Sequence, residues 1–235
     1  MLNKKEYRFD DPNGISDWID IEICHSGKYG APGMKREKRK KPTTEQIQKM
    51  NQKNKEKKIW RYLRANFRPG DYWITLTYRK GERPSEEEVK KHLAKFRRQL
   101  RDAYRKLGEE LKYIYSIEIG KLGGIHVHMV LNRIDQSDRI ITKYWDHGYT
   151  YFVPIYAEGG YRRLAEYIAK AKIYNRSKNL MFPRLRVRRI NNREWKRQPR
   201  AYKGYYVDKD SIVVGINPVT GREYMHYTMI RFRRD

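Results

Sequence analysis

Two alternating apolar runs, KYIYSIEIG (112–120) and GIHVHMVLN (124–132), flank a short glycine-containing connection. Runs rich in β-branched and aromatic residues joined by so short a link are expected to pair as an antiparallel hairpin. Side chains alternate along a strand, so Ile125, Val127, Met129 and Leu131 face one way and His126, His128 and Val130 the other. In the partner run Ile117 and Ile119 share the apolar face, which leaves Ser116, Glu118 and Gly120 on the opposite one. A buried apolar face explains the first set and leaves the two histidines unexplained. Directly paired residues point to the same side. Registers that pair Glu118 with His126 or with His128 both close through this connection. Either one gathers a carboxylate and two imidazoles within one or two cross-strand spacings of about 5 Å. Three such ligands with open positions suit Mg²⁺ or Mn²⁺, and the ligand types alone leave zinc open.

The surrounding chain supplies a sheet for that hairpin. DYWITLTY (71–78) alternates without proline and reads as a strand with Thr75 and Thr77 on one face. Ser85 and Glu88 form a capping box, and Val89, Leu93, Phe96, Leu100, Tyr104 and Leu107 make one helical stripe that Gly108 ends. The spacing predicts a further helix from Thr43 to about Asn66, a short one over SDRIITKYW, and another over GGYRRLAEYIAKAKIYN. YTYFVPIYAE reads as a strand that Pro154 pushes to an edge. DWIDIEI near the N-terminus is a candidate strand, and two alternating segments around NPVTG predict a C-terminal hairpin. The expected fold is α+β: a central antiparallel sheet of about five strands flanked by helices, with a basic N-terminal arm and a C-terminal β-hairpin extension. The expected boundaries are 1–66 for the N-terminal extension, 67–180 for the core, and 181–235 for a basic extension packed on that core.

A net charge of +26 makes such a chain repel itself unless it meets a polyanion, and nucleic acid is the usual one. Its 20 Tyr and 5 Trp offer rings for stacking on bases. Lys35, Arg36, Lys38, Arg39, Lys40 and Lys41 form a dense run, and Arg186, Arg188 and Arg189 belong to a second basic segment. Both are expected to grip phosphates without reading sequence; Thr75 and Thr77 are further candidate DNA contacts. The single cysteine, Cys24, excludes an internal disulfide and a multi-cysteine zinc site. There is no apolar leader and no run near the ~18 residues of a membrane helix, so the expected location is the cytoplasm, with no membrane partner.

On the last predicted helix, at 100° per residue, Tyr161, Leu164, Ile168 and Ala171 share an apolar arc, and Tyr167, Lys170 and Tyr174 fall together beside it. Tyr167 can thereby lean over the histidine face, although among 20 tyrosines an ordinary boundary position is the competing reading.

Taken in order, ITLTY, Glu118 with the HVH strand, and YIAK (Tyr167, Lys170) resemble the three motifs of the HUH endonucleases. The likeness is to their single-tyrosine, Rep-type branch, the rolling-circle initiators of small phages and plasmids, where the tyrosine follows the histidine motif. It covers about Asp71 to Asn175. The resemblance implies an RRM-like sheet and a metal-dependent, sequence-specific nickase and strand transferase for single-stranded DNA. It assigns the metal (Mg²⁺ or Mn²⁺) to Glu118, His126 and His128. Tyr167 becomes the nucleophile of a 5′-phosphotyrosine intermediate, Lys170 its helper, and Tyr174 the alternative nucleophile. It further implies a single-stranded or hairpin origin and a bacterial host cell. Host helicase and replication machinery are implied as well, since the chain has no phosphate-binding G-x-x-x-x-G-K-[ST] loop. Some initiators carry a second tyrosine four residues on; Ala171 stands there in this sequence and favours single-tyrosine chemistry. A related single-tyrosine transposase or mobilisation relaxase would use the same site. A non-catalytic single-stranded nucleic-acid binder would need neither Tyr167 nor the histidines.

Overall fold

The computed structural model describes residues 2–10, 16–25, 41–120, 123–156, 160–191, 195, 198–217 and 220–232. Lys35, Arg36, Lys38, Arg39 and Lys40 lie outside them. In chain order the elements are β1 (Leu2–Asp10), β2 (Ser16–His25), α1 (Thr44–Asn66), β3 (Tyr72–Thr77), α2 (Glu86–Lys106), β4 (Tyr113–Ile119), β5 (Ile125–Leu131), α3 (Ser137–Tyr144), β6 (Thr150–Pro154), α4 (Gly160–Lys170), β7 (Ile173–Arg176), β8 (Arg184–Ile190), β9 (Tyr205–Asn217) and β10 (Arg222–Arg231). They form two compact units, residues 54–181 and residues 1–53 with 182–235. No described helix is long and apolar enough to cross a membrane.

The α+β reading holds. In the unit 54–181 five antiparallel strands run in the order β6-β3-β5-β4-β7, with the Pro154 strand at an edge as expected. Ile74, Leu76, Ile117, Val127 and Met129 line one face, and α2 buries Val89, Leu93, Phe96, Leu100 and Tyr104 against it. Each such side chain contributes roughly 1.5–3 kcal/mol relative to exposure. The capping box that starts α2 is formed: the Ser85 hydroxyl accepts from the Glu88 N–H at 3.3 Å, and the Glu88 carboxylate accepts from the Ser85 N–H at 2.7 Å. With one face closed by α2, the even-numbered residues of β4 and β5 are left to the other.

The last helix is shorter than the sequence pattern suggests. α4 ends at Lys170, and residues 173–176 become β7, which pairs with β4. Tyr174 is therefore not an arc-mate of Tyr167 on a helix. The run Ile173–Tyr174 suits a strand, and pairing satisfies the outer backbone groups of β4, an outcome that helical periodicity alone does not reveal.

The C-terminal hairpin β9–β10 is present, but it belongs to a second antiparallel sheet, ordered β8-β1-β2-β10-β9. Ile19, Ile21 and Ile23 of DWIDIEI form its core with Leu2, Ile190, Met225, Tyr227 and Met229. β1 lacks an apolar alternation because the face it buries carries Lys4 and Glu6. Lys4 donates to the Tyr202 hydroxyl at 3.0 Å, and Glu6 accepts from Tyr202 and, at 3.0 Å, from Arg8.

The segment after α3 seals the end of β3. The Trp145 indole N–H donates to the Thr77 carbonyl at 3.0 Å, and the Thr77 N–H donates to the Tyr149 carbonyl at 2.9 Å. A Cβ on Gly148 would lie 2.2 Å from the Thr77 oxygen, so only glycine allows this approach. Gly148→Ala should lower unfolding free energy by about 1–3 kcal/mol in urea titration. The His147 ring stacks on His92 with centroids 3.8 Å apart. Burial, then the His92 charge, hold the His147 pKa below its ordinary value. A depressed folded-state histidine pKa means that the unfolded chain takes up the extra proton first. Stability should fall as pH drops below about 6.5, and His147→Gln should flatten that fall in unfolding midpoints measured from pH ~7.5 to ~5.5.

Candidate functional site

The site lies on the sheet face that α2 leaves open. Of the two registers the sequence allowed, the structure adopts the one pairing Glu118 with His126 and Ser116 with His128. On the other side of β5, β3 sets Thr75 opposite His128 and Thr77 opposite His126. Glu118, His126, His128, Thr75, Thr77 and Trp73 therefore share one face.

Tyr167 reaches this face from α4. Its hydroxyl donates to the Glu118 carboxylate and lies 2.8 Å from His128 Nε2. The same carboxylate is 3.3 Å from His128 Nε2, so three groups converge on one point. The Thr75 hydroxyl, 3.0 Å from His128 Nδ1, holds the far side of the ring. Trp73 stacks flat on His128 (5.4 Å, 9°) and meets Tyr167 edge-on (5.7 Å, 88°). His126 continues the stack, 6.4 Å from His128 and 19° from parallel.

Electrostatics follow from this packing. Burial lowers the His128 pKa, His126 pushes the same way, and Glu118 opposes both. His128 is thus a neutral imidazole at neutral pH. Burial raises the Tyr167 phenol well above its ordinary value, and the accepting Glu118 carboxylate raises it further. Tyr167 is nevertheless 39% exposed and the Glu118 carboxylate half-exposed, so the convergence point is open to a ligand.

The donor set suits a divalent cation in type. A ligand imidazole is usually oriented by a hydrogen bond at its other nitrogen, which is the relation of Thr75 to His128. As placed, the Tyr167 hydroxyl stands between the carboxylate and the imidazole, and no three His, Cys, Asp or Glu side chains among the described residues close into a ligand cluster.

The other predicted residues are spread more widely. Lys170 is exposed at the end of α4, one turn beyond Tyr167. Tyr174 sits on β7 opposite Ser116 and so faces the same side of the sheet. The Lys55 ammonium lies 4.8 Å over its ring and also donates to the Ala171 carbonyl at 2.9 Å. Of the two tyrosines, Tyr167 is the one whose hydroxyl meets Glu118 and His128. Lys41 is exposed ahead of α1. Arg186 and Arg188 lie on one face of the edge strand β8, Arg189 on the other, with Arg188 3.8 Å from Glu6. Trp73 is a site residue that the motifs do not include, although alternation within DYWITLTY already sets it on the face of Thr75 and Thr77.

Residues 71–172 match a family model of replication-associated proteins, the ORF2 type. No curated protein and no solved structure matches the chain significantly. The matched stretch contains Trp73, Thr75, Glu118, His126, His128, Tyr167 and Lys170, and stops short of Tyr174. Because Glu118 is half-exposed, Tyr167→Phe leaves it solvated, and the variant should lose less than about 1 kcal/mol of stability by chemical denaturation. That makes it a clean probe of function.

Proposed function

We propose that this chain is a metal-dependent, sequence-specific nickase and strand transferase for single-stranded DNA that initiates rolling-circle replication. The observation that carries the reading is the Tyr167 hydroxyl poised between the Glu118 carboxylate and His128 Nε2. The match of residues 71–172 to a replication-associated family favours an initiator over the transposase and relaxase that would share this chemistry. The charge of +26 supports a nucleic-acid substrate.

A phenol titrates near 10 when unperturbed, and here it is held higher, so Tyr167 attacks as a neutral hydroxyl that gives up its proton during the reaction. Glu118 already accepts that hydrogen, and His128 lies beside it, so the proton has a place to go. Tyr167 Oη forms a bond to the scissile phosphorus while the bond from phosphorus to the preceding 3′ oxygen breaks. That oxygen takes up the proton and leaves as a free 3′-OH, and the downstream strand stays on Tyr167 as a 5′-phosphotyrosine. Attack by a 3′-OH on that link reverses the step and joins strands. Glu118, His126 and His128 would hold Mg²⁺ or Mn²⁺, which supplies Lewis-acid polarisation of the scissile phosphate. Lys170 is positioned on the helix to offset charge developing on the phosphate oxygens. With no nucleotide-binding loop in the sequence, unwinding falls to a host helicase working with host replication enzymes. Basic residues outside the site, Lys35 to Lys41 and Arg186, Arg188 and Arg189, would hold the DNA backbone.

Labelled single-stranded DNA from the replicon's own origin, incubated with Mn²⁺, should give a covalent adduct on a denaturing gel that maps to the Tyr167 peptide. The adduct should vanish in Tyr167→Phe and with chelator. An adduct on Tyr174 would move the nucleophile to β7. Intact binding with no adduct on any origin strand would overturn the enzymatic reading in favour of a binding protein. Thr75→Val, which frees the His128 ring, should lower adduct yield by about 10–100-fold.

A further inference from the structure

The face that carries Tyr167 and the histidines continues past the residues assigned above. β6 pairs with β3 so that Tyr151 stands opposite Thr75 and Val153 opposite Trp73. Tyr149, whose carbonyl accepts the Thr77 N–H and hydroxyl, is two residues before Tyr151 and shares its face. Across the sheet the order is thus His128–Thr75–Tyr151 and His126–Thr77–Tyr149. Two short threonines floor a trough about 10 Å wide at strand spacing. The imidazoles with Trp73 and Tyr167 bound it on one side, and the tyrosines of the edge strand bound it on the other.

Those edge residues are not packing anything. Tyr149 is 66% exposed, Tyr151 59% and Val153 47%, and neither tyrosine hydroxyl makes a side-chain hydrogen bond among the described residues. Two large aromatics laid bare side by side on an edge strand are unusual in a soluble sheet, where charge or proline commonly blunts the edge. The surrounding unit is basic, with 28 Lys and Arg against 15 Asp and Glu across residues 54–181. Locally, the Arg83 guanidinium reaches the β4–β5 turn, 3.9 Å from where a Cβ on Gly123 would sit. The opposite partner is therefore anionic and carries flat apolar faces.

We infer that Tyr149 and Tyr151 form a stacking platform for unpaired bases of single-stranded DNA that lies across the Thr75–Thr77 trough beside Tyr167. The inference rests on the proposed function for the identity of the strand, and adds how the strand is held and why it must be unpaired. Within a duplex each base face is covered by its neighbour, so a ring on an open sheet can stack only on a base that has been released. The threonine floor leaves room for the sugar-phosphate backbone between the bases on the tyrosines and the convergence point of Glu118, His128 and Tyr167. Stacking tolerates every base, so this platform sets strandedness and orientation rather than sequence.

The test compares two fluorescent strands of about 20 nucleotides, longer than a usual single-domain site: an oligothymidylate and an abasic strand with the same phosphates and no bases. Binding to the full chain is read by anisotropy in EDTA, so that no cleavage intervenes. The wild type should prefer the oligothymidylate by at least about tenfold. The double variant Tyr149→Ala with Tyr151→Ala should lose most of that preference, about tenfold per ring, while its affinity for the abasic strand and its Tm stay unchanged. The corresponding double Phe variant should keep the preference, since it retains both rings. Equal binding of the two strands by the wild type would overturn the inference. So would a preference that survives the Ala variant, or one that is lost equally in the Phe variant. If the preference behaves as expected but no Tyr167 adduct forms, the platform stands and the nickase reading falls. If the adduct forms and the Ala variant keeps the preference, the reverse holds.

Discussion

The pairing of Glu118 with His126 is the constraint on which the site depends. Side-chain direction in a sheet has a period of two, so slipping β5 by one residue against β4 would turn both histidines into the α2 core and Val127 and Met129 outward. The apolar residues that α2 covers therefore hold the polar ones in place. Val127 and Met129 are fully buried, and their burial commits His126 and His128 to the open face. Specificity of register, rather than any contact among the polar groups, brings a carboxylate, two imidazoles and a hydroxyl to one surface.

On that surface the groups hold each other in a chain. Thr75 fixes His128, Trp73 lies flat on it, and Tyr167 closes the group from α4 with its hydroxyl toward Glu118. The phenol is held above its ordinary pKa by burial, with an acceptor already bonded to it. That combination suits a nucleophile that must stay protonated at rest and lose its proton only as it reacts. β3 is the central element in this arrangement. It carries Trp73 and Thr75, and it links the histidine strand to the exposed tyrosines of β6.

Much of this is legible in the sequence because it is local. Alternation in two short runs defines the face of Glu118, His126 and His128, and the 3.6-residue period together with a capping box defines α2. What the sequence hides depends on distant partners. β1 reads as polar because Lys4 and Glu6 are satisfied by Tyr202, almost 200 residues away, and no local pattern reveals that. Hence the second sheet, which joins both ends of the chain, does not follow from local patterns, although its Ile19–Ile21–Ile23 alternation is visible. AKAKIYN continues the helical period and so predicts Tyr174 on a helix, whereas the open edge of β4 draws it into a strand. Glu118 has two allowed registers in the sequence, and the pairing of β4 with β5 selects one.

The most direct measurement is a crystal structure of the Tyr167→Phe variant with Mn²⁺ and a short origin strand. The account predicts an anomalous manganese peak at His128 Nε2 and Glu118, and a phosphate of the strand within bonding reach of the position that the missing phenol oxygen would occupy. Manganese and phosphate bound away from Glu118 and His128, with the ring at position 167 facing no part of the strand, would contradict it.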